Sequence, residues 1–186
     1  RVSAILNITP DHLNRHHTME AYIQAKKNVA INQTAEDTCV LNYEDEVLRE
    51  FGETLQTKVL YFSSKRKLDK GIYLDDGNII YRNPDECLVC NVKELKLLGV
   101  HNYENVMAAV AMAAAYGVPM DSIRKTIKEF AGVEHRIEFV AEKNGVAYYN
   151  DSKGTNPDAA IRGIQAMNRP TYLIGGGYDK QSEYKE

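Results

Sequence analysis

The chain has no tryptophan, and only three of its 186 residues are cysteines. An odd, small number of cysteines excludes a complete disulfide framework and fits a reducing compartment. No apolar run approaches the length of a membrane span and no signal peptide is visible, so a cytoplasmic address is expected and no membrane partner. Basic residues are not in excess: 23 Lys and Arg stand against 26 Asp and Glu, a net charge of −3, which gives no field for nucleic acid or an anionic surface. No repeat or low-complexity segment stands out. Also missing is any Gly-x-x-x-x-Gly-Lys-Ser/Thr phosphate loop, so a nucleoside triphosphate site would have to be completed by residues outside 1–186.

What is present is the profile of a globular chain able to bury a core, 44% hydrophobic and 26% charged. Both ends read as cut: Arg1 leads straight into the strand pattern Val2 to Ile8, and the chain stops soon after Gly175-Gly176-Gly177. The pattern predicts a helix from Met19 to Asn32, a strand at Thr38 to Leu41, a helix at Glu44 to Phe51 and a strand at Lys58 to Phe62. Ile72 to Leu74 and Ile79 to Tyr81 flank Asp76-Gly77, a hairpin signal, and Cys87 to Val92 adds a strand. Helices at Asn102 to Tyr116 and Met120 to Phe130 follow, punctuated by Gly117 and Pro119. After a hinge at Ala131-Gly132-Val133, Arg136 to Glu142 and Val146 to Asn150 form a second hairpin around Asn144-Gly145. A helix at Pro157 to Ala166 and a strand at Thr171 to Ile174 complete a strand–helix–strand unit. The expected fold is α/β: a Rossmann-like, mostly parallel sheet with a small antiparallel sheet attached (residues 1–133), then the start of a second Rossmann-like domain (residues 134–186).

The densest chemistry lies in Asn150-Asp151-Ser152-Lys153-Gly154-Thr155-Asn156, between a strand and a helix, where α/β proteins place ligands. An acceptor, a fixed cation and a hydroxyl stand within a few residues, more than a solvated turn needs. In the loop after the first strand, His12 beside Asp11 offers metal-ligand chemistry or is simply solvated. Lys26 falls in the apolar stripe of Met19, Tyr22, Ile23 and Ala30. A lysine there either becomes a carbamate, a metal ligand, or snorkels with its ammonium in water, and the residues alone favour snorkelling. Asn102 is expected to cap its helix, with Asn105 on the same face, and an asparagine amide can pair with an adenine edge. Cys87 and Cys90 form a CxxC, but alternation along a strand points them to opposite faces, so they are read as core residues.

In their order along the chain these segments resemble the Mur ligases of peptidoglycan synthesis. Asn7-Ile-Thr-Pro-Asp-His12 looks like the family's loop with a metal-binding histidine, and Lys26 matches its carbamylated lysine. His101-Asn102-Tyr-Glu-Asn105 resembles its adenine-binding HNxxN motif, and His135-Arg136-Ile-Glu138 the segment opening its C-terminal domain. Asn150 to Asn156 resembles the Asn-Asp-Ser-Lys-Ala-Thr-Asn loop of the members that add D-glutamate, and Gly176-Gly-Tyr-Asp-Lys180 their Gly-Gly-x-x-Lys turn.

The resemblance implies a monomeric, cytoplasmic, ATP-dependent ligase adding D-glutamate to UDP-N-acetylmuramoyl-L-alanine through an acyl phosphate, with a pair of Mg²⁺ ions. His12 and carbamylated Lys26 would hold metal. Asn102 and Asn105 would read adenine, Asp151 the ribose and Arg136 the phosphates. Lys153 would face the transferring phosphate, with Thr155 and Lys180 on D-glutamate. The phosphate loop would lie before Arg1, so residues 1–186 alone are expected to be inactive. The alternatives are another Mur-type or folylpolyglutamate-type ligase, or a non-catalytic nucleotide-binding module.

Overall fold

The computed structural model describes residues 1–10 and 13–177. One six-stranded sheet dominates. β1 (Val2–Ile5), β2 (Thr38–Asn42), β3 (Lys58–Ser63) and β4 (Gly71–Asp75) run parallel in that order, and β5 (Asn78–Arg82) and β6 (Glu86–Asn91) extend it antiparallel. The small antiparallel sheet is attached as expected, with β4 both the last parallel strand and the first antiparallel one. β4 and β5 are joined by Asp76-Gly77, both at positive φ (45° and 75°), as a tight hairpin turn requires.

β2 shows why the sheet is covered on both faces. Its last four residues are buried, the run expected of a central parallel strand. Cys39 and Leu41 face Leu48 and Phe51 of α3 (Glu46–Thr54), while Val40 faces Met107, Val110 and Ala111 of α4 (Val100–Tyr116). α5 (Met120–Glu129) packs beside α4, placing Ile123 in the same core. α1 (Leu13–His16) and α2 (Met19–Lys27) lie in the β1–β2 connection. α2 is capped by Thr18, which accepts from the Ala21 amide at 3.2 Å, and Asp45 caps α3 through the Leu48 amide at 3.2 Å.

β1 stops at Ile5 rather than Ile8. Past that point the Asn42 amide donates to the Leu6 carbonyl (3.1 Å) and the Ile8 amide donates to Asp45 (2.7 Å), so side chains replace the ladder. α2 likewise ends at Lys27, followed by a 3₁₀ turn over Asn28–Ala30. β7 (Glu138–Lys143) and β8 (Val146–Asn150) form the second hairpin about Asn144-Gly145, again with positive φ at both residues. α6 (Pro157–Gln165) follows, capped by Asn156, which accepts from the Ala159 amide at 2.8 Å. The strand expected at Thr171 to Ile174 is absent. A parallel strand needs a neighbouring ladder, and residues 170–177 have none, leaving Tyr172 98% and Ile174 97% exposed.

An irregularity between Ile79 and Ile80 sets Cys87 opposite Tyr81 and Cys90 opposite Ile79, two positions apart on β5 and hence on one face. Strict alternation fails across it. Cys90 is nevertheless a core residue, whereas Cys87 is partly exposed and accepts from the Arg124 guanidinium at 3.0 Å. Burial, then the charge of Glu94, pushes the Cys90 thiol up to about 11, and burial also raises Cys39. Brief alkylation at pH 8 is therefore expected to label Cys87 and spare Cys39 and Cys90 until the chain is unfolded. Mass mapping checks this, and equal labelling of Cys90 in the folded chain would contradict it.

Candidate functional site

The loops after β1, β2 and β3 share the carboxyl edge of the parallel sheet, the usual ligand edge of such a sheet. Lys26 reaches it from α2: its ammonium donates to the Asn7 carbonyl at 3.0 Å and stands 5.0 Å from the Tyr22 ring centroid. Both neighbours suit a cation. In that form Lys26 would repel a metal ion, so ligation requires conversion to the carbamate. Glu44, at the same edge, accepts two 2.9 Å bonds from Arg66 and one of 2.6 Å from Ser63. Its burial works against ionisation, but Ser63 and Arg66 prevail and its carboxyl sits below the usual range. His12 lies outside the described residues. Among those described, no cluster of three or more His, Cys, Asp or Glu could hold a metal.

A cavity of about 250 Å³ opens between the first turn of α4 and the β7–β8 hairpin. That is smaller than the roughly 300–1,000 Å³ that takes a whole drug-sized ligand. It is the size for one heterocycle. Leu97, Leu98, Ile137, Phe139 and Tyr149 supply apolar walls, and Lys96, Asn102 and Arg136 the polar groups. Phe139 and Tyr149 are cross-strand partners in edge-to-face contact, 5.7 Å between centroids.

Asn102 is not the helix cap. α4 starts at Val100, and Gly99 holds the cap position at φ 90°, a conformation that favours glycine. Asn102 is instead buried in the first turn, where its amide donates to the Leu98 carbonyl at 2.7 Å and its oxygen meets the Asn105 amide at 3.5 Å. Asn105 thus stands behind Asn102, which alone of the two lines the cavity. Beside them, burial first and then the charge of Arg162 hold the His101 imidazole below its ordinary value, with Glu104 pulling the other way.

The loop 150–156 is tied to this cavity through the backbone of residues 135–137. Asp151 accepts from the Ile137 amide at 3.1 Å, the Lys153 amide donates to the His135 carbonyl at 2.9 Å, and Asn150 meets the His135 ring at 2.9 Å. The Asp151 carboxylate also presses on α6, since a Cβ at Gly163 would stand 2.6 Å from its Oδ2. Lys153 and Thr155 keep their side chains exposed. Lys180 lies outside the described residues.

The Mur ligase middle domain matches residues 1–113. The chain belongs to the Mur ligase family. Within that family the match extends to the last residue. A UDP-N-acetylmuramoylalanine–D-glutamate ligase of Lachnoclostridium phytofermentans is 62% identical over all 186 residues, and one of Clostridioides difficile 50%. The chain spans 41% of the length of both. Solved Mur ligase structures share the fold. A UDP-N-acetylmuramoylalanyl-D-glutamyl-2,6-diaminopimelate–D-alanyl-D-alanyl ligase from Acinetobacter baumannii aligns over 89% of this chain and 36% of its own, with a TM-score of 0.70 at 21% identity. A UDP-N-acetylmuramate–alanine ligase from Thermotoga maritima aligns over 89% and 37%, with a TM-score of 0.63 at 20% identity.

Of the expected site residues, this Mur ligase fold brings Asn102 and Arg136 to one cavity and ties Asp151 to its wall, while Lys26 stands at the sheet edge. Sequence reasoning missed the cavity's apolar walls. The only signal for them was an aromatic pair, Phe139 and Tyr149, set across a recognisable hairpin.

Proposed function

We propose that this chain is the part of an ATP-dependent ligase that holds adenine and completes the acceptor site, adding D-glutamate to UDP-N-acetylmuramoyl-L-alanine. The carrying observation is the lacing of the Asp151–Thr155 loop to the cavity shared by Asn102 and Arg136. The identity to ligases named for D-glutamate along the whole chain supports the acceptor. ATP phosphorylates the L-alanyl carboxylate, giving an acyl phosphate and ADP. The D-glutamate amine attacks the acyl carbon, a tetrahedral intermediate forms, and phosphate leaves as the nitrogen gives up a proton.

The protein's work is positioning and charge neutralisation. Asn102, backed by Asn105, takes the adenine edge with the amide hydrogen and lone pair left after its own contacts. Asp151 receives ribose hydroxyls and Arg136 the phosphates. Lys153 neutralises the transferring phosphoryl group, while Thr155 and Lys180 hold D-glutamate. His12 and a carbamate on Lys26 would hold Mg²⁺, which supplies further neutralisation of phosphate charge. A boundary near residues 132–135 separates His12, Lys26, Asn102 and Asn105 from Arg136, Asp151, Lys153, Thr155 and Lys180, so domain closure completes the site. The complete enzyme is read as a cytoplasmic monomer; no described helix is long and apolar enough to cross a membrane.

The complete protein is expected to release phosphate only when UDP-N-acetylmuramoyl-L-alanine, ATP and D-glutamate are all present, and Lys180→Ala to abolish that release. Equal turnover with L-lysine or meso-diaminopimelate would refute the acceptor assignment.

A further inference from the structure

α6 docks on the first turn of α4 by contacts that no ligand explains. Arg162, Gly163 and Ala166 share one face of α6 by helical spacing. Ala166 is buried against Gly99: a Cβ at Gly99 would stand 2.6 Å from the Ala166 methyl and 2.9 Å from the His101 ring. Gly99 therefore serves twice, supplying the positive φ that starts α4 and the bare surface on which α6 rests. One turn further along α4, Glu104 faces the same helix. One of its oxygens accepts from the Ser64 hydroxyl at 2.5 Å, and the other stands 4.0 Å from the Arg162 guanidinium. The Glu104 side chain is 18% exposed and that of Arg162 35%, so the pair is partly shielded from water.

We propose that Glu104 is a positioning residue: anchored by Ser64 just after β3, its carboxylate clasps Arg162 and seats α6 on α4. This clasp sets the loop 150–156 against the cavity of Asn102, because α6 begins at that loop and Gly163 abuts the Asp151 carboxylate. What the loop does there rests on the proposed function; the clasp itself does not. Glu104 touches neither substrate in this scheme and acts only through Arg162.

The clasp is tested in the 186-residue chain by measuring the distance between bioorthogonal labels at Glu53, on α3, and Asn144, at the hairpin tip. Such labels avoid the native thiols. Glu104→Gln and Arg162→Met are each expected to lower the ratio of docked to undocked molecules about 2- to 5-fold, the range of a partly exposed ion pair. Combining Glu104→Arg with Arg162→Glu should restore it, and Ser64→Ala should give a smaller loss in a variant with little risk to folding. Circular dichroism confirms that each variant is folded. Unchanged distances in the single variants, or a charge swap that fails to restore docking, would overturn the clasp. In the complete protein, the KM for D-glutamate should rise in step with the lost docked population while kcat at saturation holds. A KM that stays constant while the distance moves would overturn the positioning role. Absence of D-glutamate turnover in the parent protein would instead defeat the proposed function, with the distances still deciding the clasp.

Discussion

Lys153→Ala in the complete protein is expected to lower kcat by about two to three orders of magnitude, the scale on which a preorganised group acting on transition-state charge works. Its melting temperature should stay within about 2 °C of the parent, as for a surface substitution. Both halves of this expectation come from the same geometry. The Lys153 side chain is exposed, and the residue's hydrogen bonds run through its backbone, from its amide to His135 and from Thr155 to its carbonyl. Alanine keeps that amide and that carbonyl, so the loop stays laced to the cavity wall. What is lost is an exposed point charge that makes no ion pair among the described residues and that the proposed phosphoryl transfer would use. Phosphate-release rates together with a thermal melt check it. Full activity would remove Lys153 from the chemistry, and a large drop in melting temperature would make it a residue of the fold.

Phe62→Ala should cost about 3–5 kcal/mol, the range for truncating a fully buried aromatic side chain. Phe62 is 0% exposed in β3, with Asn42 beside it on β2 and Ile72 on β4. It belongs to the core that joins the sheet to Met107 and Val110 of α4. A close-packed neighbourhood of this kind closes only partly over the missing ring, so a cavity term adds to the lost transfer energy. Since a domain's whole stability is about 5–15 kcal/mol, the loss is a large fraction of it. Urea unfolding should show a lower midpoint with the slope retained. A midpoint within error of the parent would contradict the packing described here. The consequence reaches the site, because α4 carries Asn102 and Glu104 on the helix that this core holds in place.

The hairpin turns at Asp76-Gly77 and Asn144-Gly145, the strand at Thr38 to Leu41 and the helix at Pro157 were legible because their signals are local. Each depends on residues within one turn of chain: positive φ, apolar runs, a cap three residues from its amide. Readings that failed depended on distant partners. Asn102 resembles a cap, yet Gly99 starts the helix and Asn102 turns inward to Leu98. Thr171 to Ile174 has the composition of a strand but pairs with no strand among the described residues. The side-chain pattern of Cys87 and Cys90 was upset by an irregularity that only pairing with β5 reveals.

Read alone, the sequence sufficed for the α/β class and for most of the element order, and it offered Asn102, Arg136, Asp151, Lys153 and Thr155 as candidates for chemistry. Tertiary structure decided which of them meet. Asn102 shares a cavity with Arg136 because the β7–β8 hairpin folds back over the start of α4, and Arg162 reaches Glu104 because Gly99 leaves room for Ala166. Such contacts join residues far apart along the chain. Their geometry depends on sheet order and close packing, which no short-range pattern encodes.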